Sequence, residues 1–200
     1  MDNLTTIAEN CSWLQASVDW CEGRPEYAGV RRRLYFTAKN NIVKFPVLKC
    51  DSKGRPVSAV LEGDYELKEG AFWYFVDIVP ERTQMTSDSQ GDAPSQTSLN
   101  KATMVHPGVG EEASMLAAYC HNSNNIYIFE DIEGRAHVIG CEEWPIKSTV
   151  AQDFGQGATG NTSTTITVEA TDKLPFPRYI GKLHTELGDL QCMKLKASLV

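Results

Sequence analysis

The sequence predicts a mainly β protein: an antiparallel β-sandwich or barrel with one flanking α-helix, extended termini and a long polar loop. Three observations carry this. In Ala59–Val79, Leu61, Gly63, Tyr65 and Leu67 alternate with Glu62, Asp64, Glu66 and Lys68, the period-two pattern of a strand with one buried and one wet face. Between Ile126 and Cys141 two apolar runs flank the turn residues Asp131-Ile132-Glu133-Gly134, which predicts a hairpin. Only one segment, Glu111–His121, spaces its apolar residues as a helix does. With 200 residues and 42% hydrophobic content, the chain fits one domain with a sizeable core.

Residues 1–28 read as an N-terminal arm. A short helix around Ala8–Cys21 is admissible because Leu14 and Val18 lie four apart. Trp13 and Trp20 are expected to pack on the domain or on a neighbouring copy rather than stand in water. Gly29 opens a strand over Val30–Ala38, in which Val30, Arg32, Leu34 and Phe36 alternate with Arg31, Arg33 and Tyr35. Arg31 and Arg33 are expected to be charge partners for acidic strands or for a neighbouring subunit. Ile42–Leu48 is a short strand interrupted by Pro46, which places it at a sheet edge. Asp51-Ser52-Lys53-Gly54 is a turn.

The Ala59–Val79 stretch reads as a hairpin turning at Lys68-Glu69-Gly70, where Gly70 can adopt positive φ. Its return strand is apolar on both faces: Ala71, Trp73, Phe75 and Val79 on one, Phe72, Tyr74, Val76 and Ile78 on the other. Such a strand needs cover on both sides. Residues 84–98 read as a flexible loop, because Thr86–Ser98 has no aliphatic residue larger than Ala93 and no basic one. It cannot bury enough surface by itself to offset its ordering entropy.

Leu99–Val105 is a further strand. In the helix, Glu111 and Glu112 suit the positive N-terminal end of the dipole, and Met115, Leu116, Tyr119 and Cys120 form the expected apolar stripe. Gln152–Gly160 is glycine-rich, Thr162–Ala170 alternates as a strand, and Leu174-Pro175-Phe176-Pro177 is an extended, stiff connector. Tyr179–Leu183 and the tail 184–200 finish the sheet or form a C-terminal arm.

Composition and motifs exclude more chemistry than they suggest. The formal charge of −7 argues against gripping nucleic acid through a basic patch. Residues 1–49 are net basic and residues 111–144 strongly acidic, a polarity suited to copies attracting one another. The six cysteines form no CxxC pair, and without a leader segment they read as reduced small hydrophobes in a cytoplasmic setting. His106, His121, His137 and His184 are scattered, and no HExxH or GxSxG is present. Cys120 and His121 adjoin on a helix and face apart. The run GQGATG at 155–160 lacks the Lys-Ser/Thr ending of a phosphate loop. Glu62, Asp64 and Glu66 suit a hard cation, but no further oxygen ligands lie near them in sequence. The expectation is a protein without enzymatic activity, cofactor or metal, and without a membrane span.

At GVRRRLYFTAKNNIVKFP (29–46), NIYIFEDIEGRAHVIG (125–140) and TITVEATDKLPFPRY (165–179), the chain resembles the major tail tube proteins of long-tailed phages and prophages of Bacteroides-like hosts. The resemblance implies a tail-tube β-sandwich, shared with type VI secretion tubes, assembled as hexameric rings that stack into a hollow tail. It also implies a virion location, assembly in the host cytoplasm, contact with tape-measure, terminator and baseplate proteins, and passage of double-stranded DNA without specific binding.

An anionic channel wall would keep phosphates moving by repulsion. Glu62, Asp64 and Glu66 are the first choice for that wall, and Glu130, Asp131 and Glu133 the second. Arg31, Arg33, Trp13 and Trp20 are the expected inter-subunit residues. Two other readings stand beside this one. The chain could be another ring-forming tail component, such as a tail terminator or secretion-type tube. It could instead be a β-sandwich binding module presenting Trp73, Tyr74 and Trp144 to a sugar or peptide.

Overall fold

In the computed structural model the described residues are 17–18, 20–23, 25–54 and 56–192. The strands, in order, are β1 (Val30–Ala38), β2 (Ile42–Lys44), β3 (Val47–Cys50), β4 (Pro56–Glu62), β5 (Glu66–Leu67), β6 (Tyr74–Asp77), β7 (Gln84–Gln90) and β8 (Thr97–Pro107). After the helix α1 (Glu111–Asn122) come β9 (Asn125–Asp131), β10 (Ala136–Ile139), β11 (Ile146–Asp153), β12 (Ser163–Asp172), β13 (Arg178–Tyr179), β14 (Lys182–Thr185) and β15 (Gly188–Gln191). The protein is therefore mainly β with one α-helix among the described residues.

Two main sheets share one core. The larger has seven strands in the order β3-β4-β13-β10-β9-β1-β6, and the smaller has four in the order β11-β12-β8-β7. Among the described residues the strand pairings are antiparallel except β13 with β4, and a single parallel bridge joins Trp73 to Thr185. Register places Leu34 opposite Phe129 and Phe36 opposite Tyr127, so these four side chains share one face of the larger sheet. That face meets the smaller sheet, where the Tyr127 hydroxyl reaches the Ser148 hydroxyl of β11 at 2.8 Å. On the opposite face lie Ile126, Ile128, Val138 and Tyr179. Two small two-stranded sheets, β2–β5 and the hairpin β14–β15, bring Tyr65, Trp73, Leu183 and Cys192 into the same core. Strand β9 is buried on both faces from Asn125 through Phe129, which explains its unbroken apolar run.

The strand Val30–Ala38, the 126–141 hairpin, the edge position of the Ile42–Leu48 segment and the helix agree with the sequence reading. Several expectations do not. The stretch Ala59–Val79 is not a hairpin: Gly63, at φ +94°, ends β4, and the chain leaves that sheet to pair β5 with β2. The return segment pairs with β1 as an edge strand. Only the Lys68–Ala71 turn survives, closed by Ala71 N–H to the Lys68 carbonyl at 3.0 Å. The doubly buried strand is thus β9, while Tyr74 and Phe75 of β6 remain 39% exposed.

The loop expected over 84–98 is a strand and turn instead. Strand β7 pairs with β8 over seven residues, Gln84 opposite Thr103 through Gln90 opposite Thr97. Strand β8 is itself held on its other side by β12 across ten pairs. A template of that length supplies hydrogen bonds that a polar segment cannot supply alone. Side chains add to them: Ser87 Oγ donates to Asn100 Oδ1 at 2.6 Å, and Gln90 Nε2 to Thr171 Oγ1 at 2.8 Å.

The helix stripe is shifted. Ala113, Ala117 and Cys120 are buried, with Leu116 beside them, whereas Met115 is 73% exposed. Small side chains on the inner face let the helix backbone lie close to β11 and β12. Strand β11 itself carries weak apolar alternation and escapes a sequence reading. The connector at 174–177 is bent rather than extended, with Phe176 at φ +40°. The tail expected from 184 onward begins as the β14–β15 hairpin, and residues 193–200 lie outside the described residues. Most of the Ala8–Cys21 helix likewise lies outside them, and Trp20 and Cys21 are not helical.

Candidate functional site

The six carboxylates proposed for a channel wall do not share one surface strand. Glu62 ends β4, Asp64 sits in the bend beyond Gly63, and Glu66 starts β5. Each has a partner. Lys49 Nζ meets Glu62 at 2.9 Å, Lys44 Nζ meets Glu66 at 2.6 Å, and the Lys182 N–H donates to Asp64 at 2.7 Å. At the other hairpin, Arg31 pairs with Glu130 at 2.9 Å, while Arg135 holds both Asp131 and Glu133, the latter at 3.1 Å. Burial pushes the Asp131 carboxyl up, but the Arg135 N–H and guanidinium outweigh it and hold the group below the usual carboxylate range.

The arginines behave as expected of charge partners. Arg33 Nε donates to Asp77 at 3.1 Å and lies over the Phe75 ring at 4.1 Å. Arg32 reaches the same carboxylate at 3.6 Å. Trp20 is exposed, and Trp13 lies outside the described residues. The aromatic platform of the binding-module reading does not form. Trp73 is 1% exposed and edge-on to Tyr65 at 5.2 Å, and the Trp144 carbonyl accepts from Lys39 Nζ at 3.0 Å.

Among the described residues two histidines meet carboxylates, His184 Nδ1 with Asp189 at 2.6 Å on an exposed hairpin and His137 Nε2 with Asp131 at 3.5 Å. The histidines act as local hydrogen-bond donors: His106 Nδ1 to the Asp77 carbonyl at 2.7 Å, His121 Nε2 to Val150 at 3.0 Å, and His137 Nδ1 to Phe176 at 3.0 Å. Burial raises the thiols of Cys120, Cys141 (to about 11) and Cys192 (to about 12), which keeps them protonated and poorly nucleophilic. Among the described residues no cluster of His, Cys, Asp and Glu could hold a metal ion. No helix there is long and apolar enough to cross a membrane.

The feature that does stand out is the rim of the larger sheet. Strand β6, Tyr74-Phe75-Val76-Asp77, is an edge with no proline, glycine, lysine or bulge to block another strand. Beside it a groove of about 340 Å³ runs between Phe36, Phe75 and Leu116 of α1. At the far rim, Val47 is 68% exposed on β3, and Val43 and Val57 nearby are also exposed. That rim is guarded, with Pro46 before β3, Lys49 on it and a register irregularity between Leu48 and Cys50. The aromatic run at 72–75 is the sequence signal for β6, which reads as a strand apolar on both faces that needs cover from the core and from a helix or another subunit. Comparison with protein-family models, with curated proteins and with solved structures gives no match for this chain.

Proposed function

We propose that this chain is a structural subunit that assembles edge to edge with copies of itself into rings, and by stacking into a phage-type tail tube. The observation that carries this reading is the β6 edge, which no further strand covers although His106 takes the Asp77 carbonyl, with exposed apolar side chains at both rims of the same sheet. Such an edge is a liability in a monomer and a joint in an assembly. Because the two rims differ, a head-to-tail contact joins unlike surfaces, and contacts of that kind close into rings when the rotation allows.

In this reading the channel wall is anionic. The pairing of Glu62, Asp64, Glu66, Glu130, Asp131 and Glu133 within the subunit weakens their individual repulsion of phosphate, and the net charge of −7 per subunit supplies the rest. Other tail proteins, and DNA in transit, are the proposed partners.

Size-exclusion chromatography with light scattering, followed by negative-stain microscopy, tests the reading. Rings or tubes are expected for the natural sequence. Tyr74→Lys, which puts a charge on the open edge, is expected to yield single subunits with an unchanged circular dichroism spectrum. A natural-sequence protein that stays monomeric at high concentration overturns the proposal.

A further inference from the structure

A second feature, at the opposite end of the larger sheet from β6, is a cavity of about 250 Å³ beneath β3. One wall is apolar, with the Phe45 ring edge-on to Tyr65 at 5.8 Å and Leu48 beside them. The remainder is acidic. Asp172, Glu142 and Glu143 face it against the single cation Lys173, so its lining carries a formal charge of −3 + 1 = −2. Lys173 is already engaged with Glu143.

Asp172 is 6% exposed and accepts the Leu174 N–H at 3.3 Å, yet no cationic side chain pairs with it among the described residues. Burial raises its carboxyl above the usual range and outweighs the backbone N–H groups of Leu174 and Lys173 and the more distant charge of Lys173. Tyr65 is also 6% exposed. Its backbone N–H donates to the Tyr179 hydroxyl at 3.3 Å, but its own hydroxyl has no hydrogen-bond partner among the described residues. Burial holds this phenol protonated, so its oxygen keeps lone pairs free to accept. Cys141 nearby spends its thiol proton on the Thr171 carbonyl at 3.4 Å.

We propose that this cavity binds a primary alkylammonium group. Its N–H groups donate to the Asp172 carboxylate and the Tyr65 hydroxyl, and its alkyl stem lies along Phe45 and Leu48. The ammonium supplies the missing counter-charge, the aromatic wall favours a cation over a neutral group of the same shape, and an anion is repelled by the acidic lining. The same chemistry is offered by a free amine and by a lysine side chain. The site is separate from the β6 edge and does not depend on assembly.

Chemical-shift titration of the purified protein with n-butylammonium tests it, using n-butanol and butyrate as neutral and anionic controls of equal length. Saturable shifts around Tyr65, Cys141 and Asp172 are expected with the amine alone. Asp172→Asn should weaken binding by about tenfold or more, as loss of a charge-assisted hydrogen bond does. Tyr65→Phe, which keeps the ring and the fold, should weaken it by roughly threefold, as loss of a neutral hydrogen bond does. Tighter binding of an Nα-blocked lysine amide would support the site and name a protein lysine as its source; tighter binding of butylammonium would support it and name a free amine. Equal binding of butanol, no saturable shift, or unchanged affinity in both variants overturns the proposal.

Discussion

The two hairpins β9–β10 and β7–β8 reach order by opposite routes. The first is apolar throughout, with Ile126, Ile128, Val138 and Ile139 at or near zero exposure. It lies in the middle of the larger sheet, and its burial on both faces would hold it in place even with a mediocre turn. In the second, the outer strand Gln84–Gln90 is built from Gln, Ser, Thr and Asp apart from Met85, and it is an edge. What holds it is a ladder of backbone bonds to β8 and a few polar side chains facing inward. The contrast shows that a segment with a single apolar residue, Met85, can be regular when its neighbour is long and fixed.

Cutting into the apolar hairpin should do the most damage. Ile128→Ala removes a fully buried side chain from the most enclosed strand and is expected to cost about 3 kcal/mol, read from the midpoint of urea unfolding. A loss below about 1 kcal/mol would mean that this hairpin is less central than its burial implies.

The polar hairpin has one comparable point, Asn100. This residue is fully buried, accepts from Ser87 of β7, donates to the Leu174 carbonyl at 3.1 Å and accepts the Phe176 N–H at 3.4 Å. Asn100→Ala leaves those groups unpaired and should cost about 2 kcal/mol. Hydrogen exchange should speed up in β7 before it does in β9. Equal acceleration in both would erase the distinction drawn above.

The smallest effect concerns the turn of the apolar hairpin. The folded carboxyl of Asp131 titrates below its ordinary value, so its stabilisation is present above the unfolded value of about 3.9 and fades as pH falls through the folded one. Asp131→Asn should therefore cost about 1 kcal/mol at pH 7 and almost nothing near pH 2. A pH-independent difference between the two proteins would mean that geometry, not charge, ties the turn to Arg135.

Much of the local structure was legible. The alternation at Val30–Ala38 marks β1 with its observed bounds, although Arg31, Arg32 and Arg33 are all exposed where the register against β9 shifts between Val30 and Leu34. Glu111 and Glu112 mark the start of the helix. The candidate sites were far less legible. Period two does mark Leu61, Tyr65 and Leu67 as apolar, but it cannot reveal that Gly63 turns the chain out of one sheet into another. The same alternation gave Glu62, Asp64 and Glu66 a common face that the fold divides. Asp172 looked like the end of an ordinary strand. Nothing near it in sequence announces Tyr65, Phe45 or Cys141.

By itself the sequence determined which segments are extended, where the one helix begins, and that the chain carries a net negative charge, since each depends on residues a few positions apart. Which strand pairs with which was decided only by the tertiary structure. So was the ordering of β7, the placing of β6 at an open edge, and the enclosing of Asp172 without a salt-bridged cation. Those outcomes depend on contacts between segments tens of residues apart, such as Tyr65 with Tyr179 and Asn100 with Leu174, and local periodicity holds no record of them.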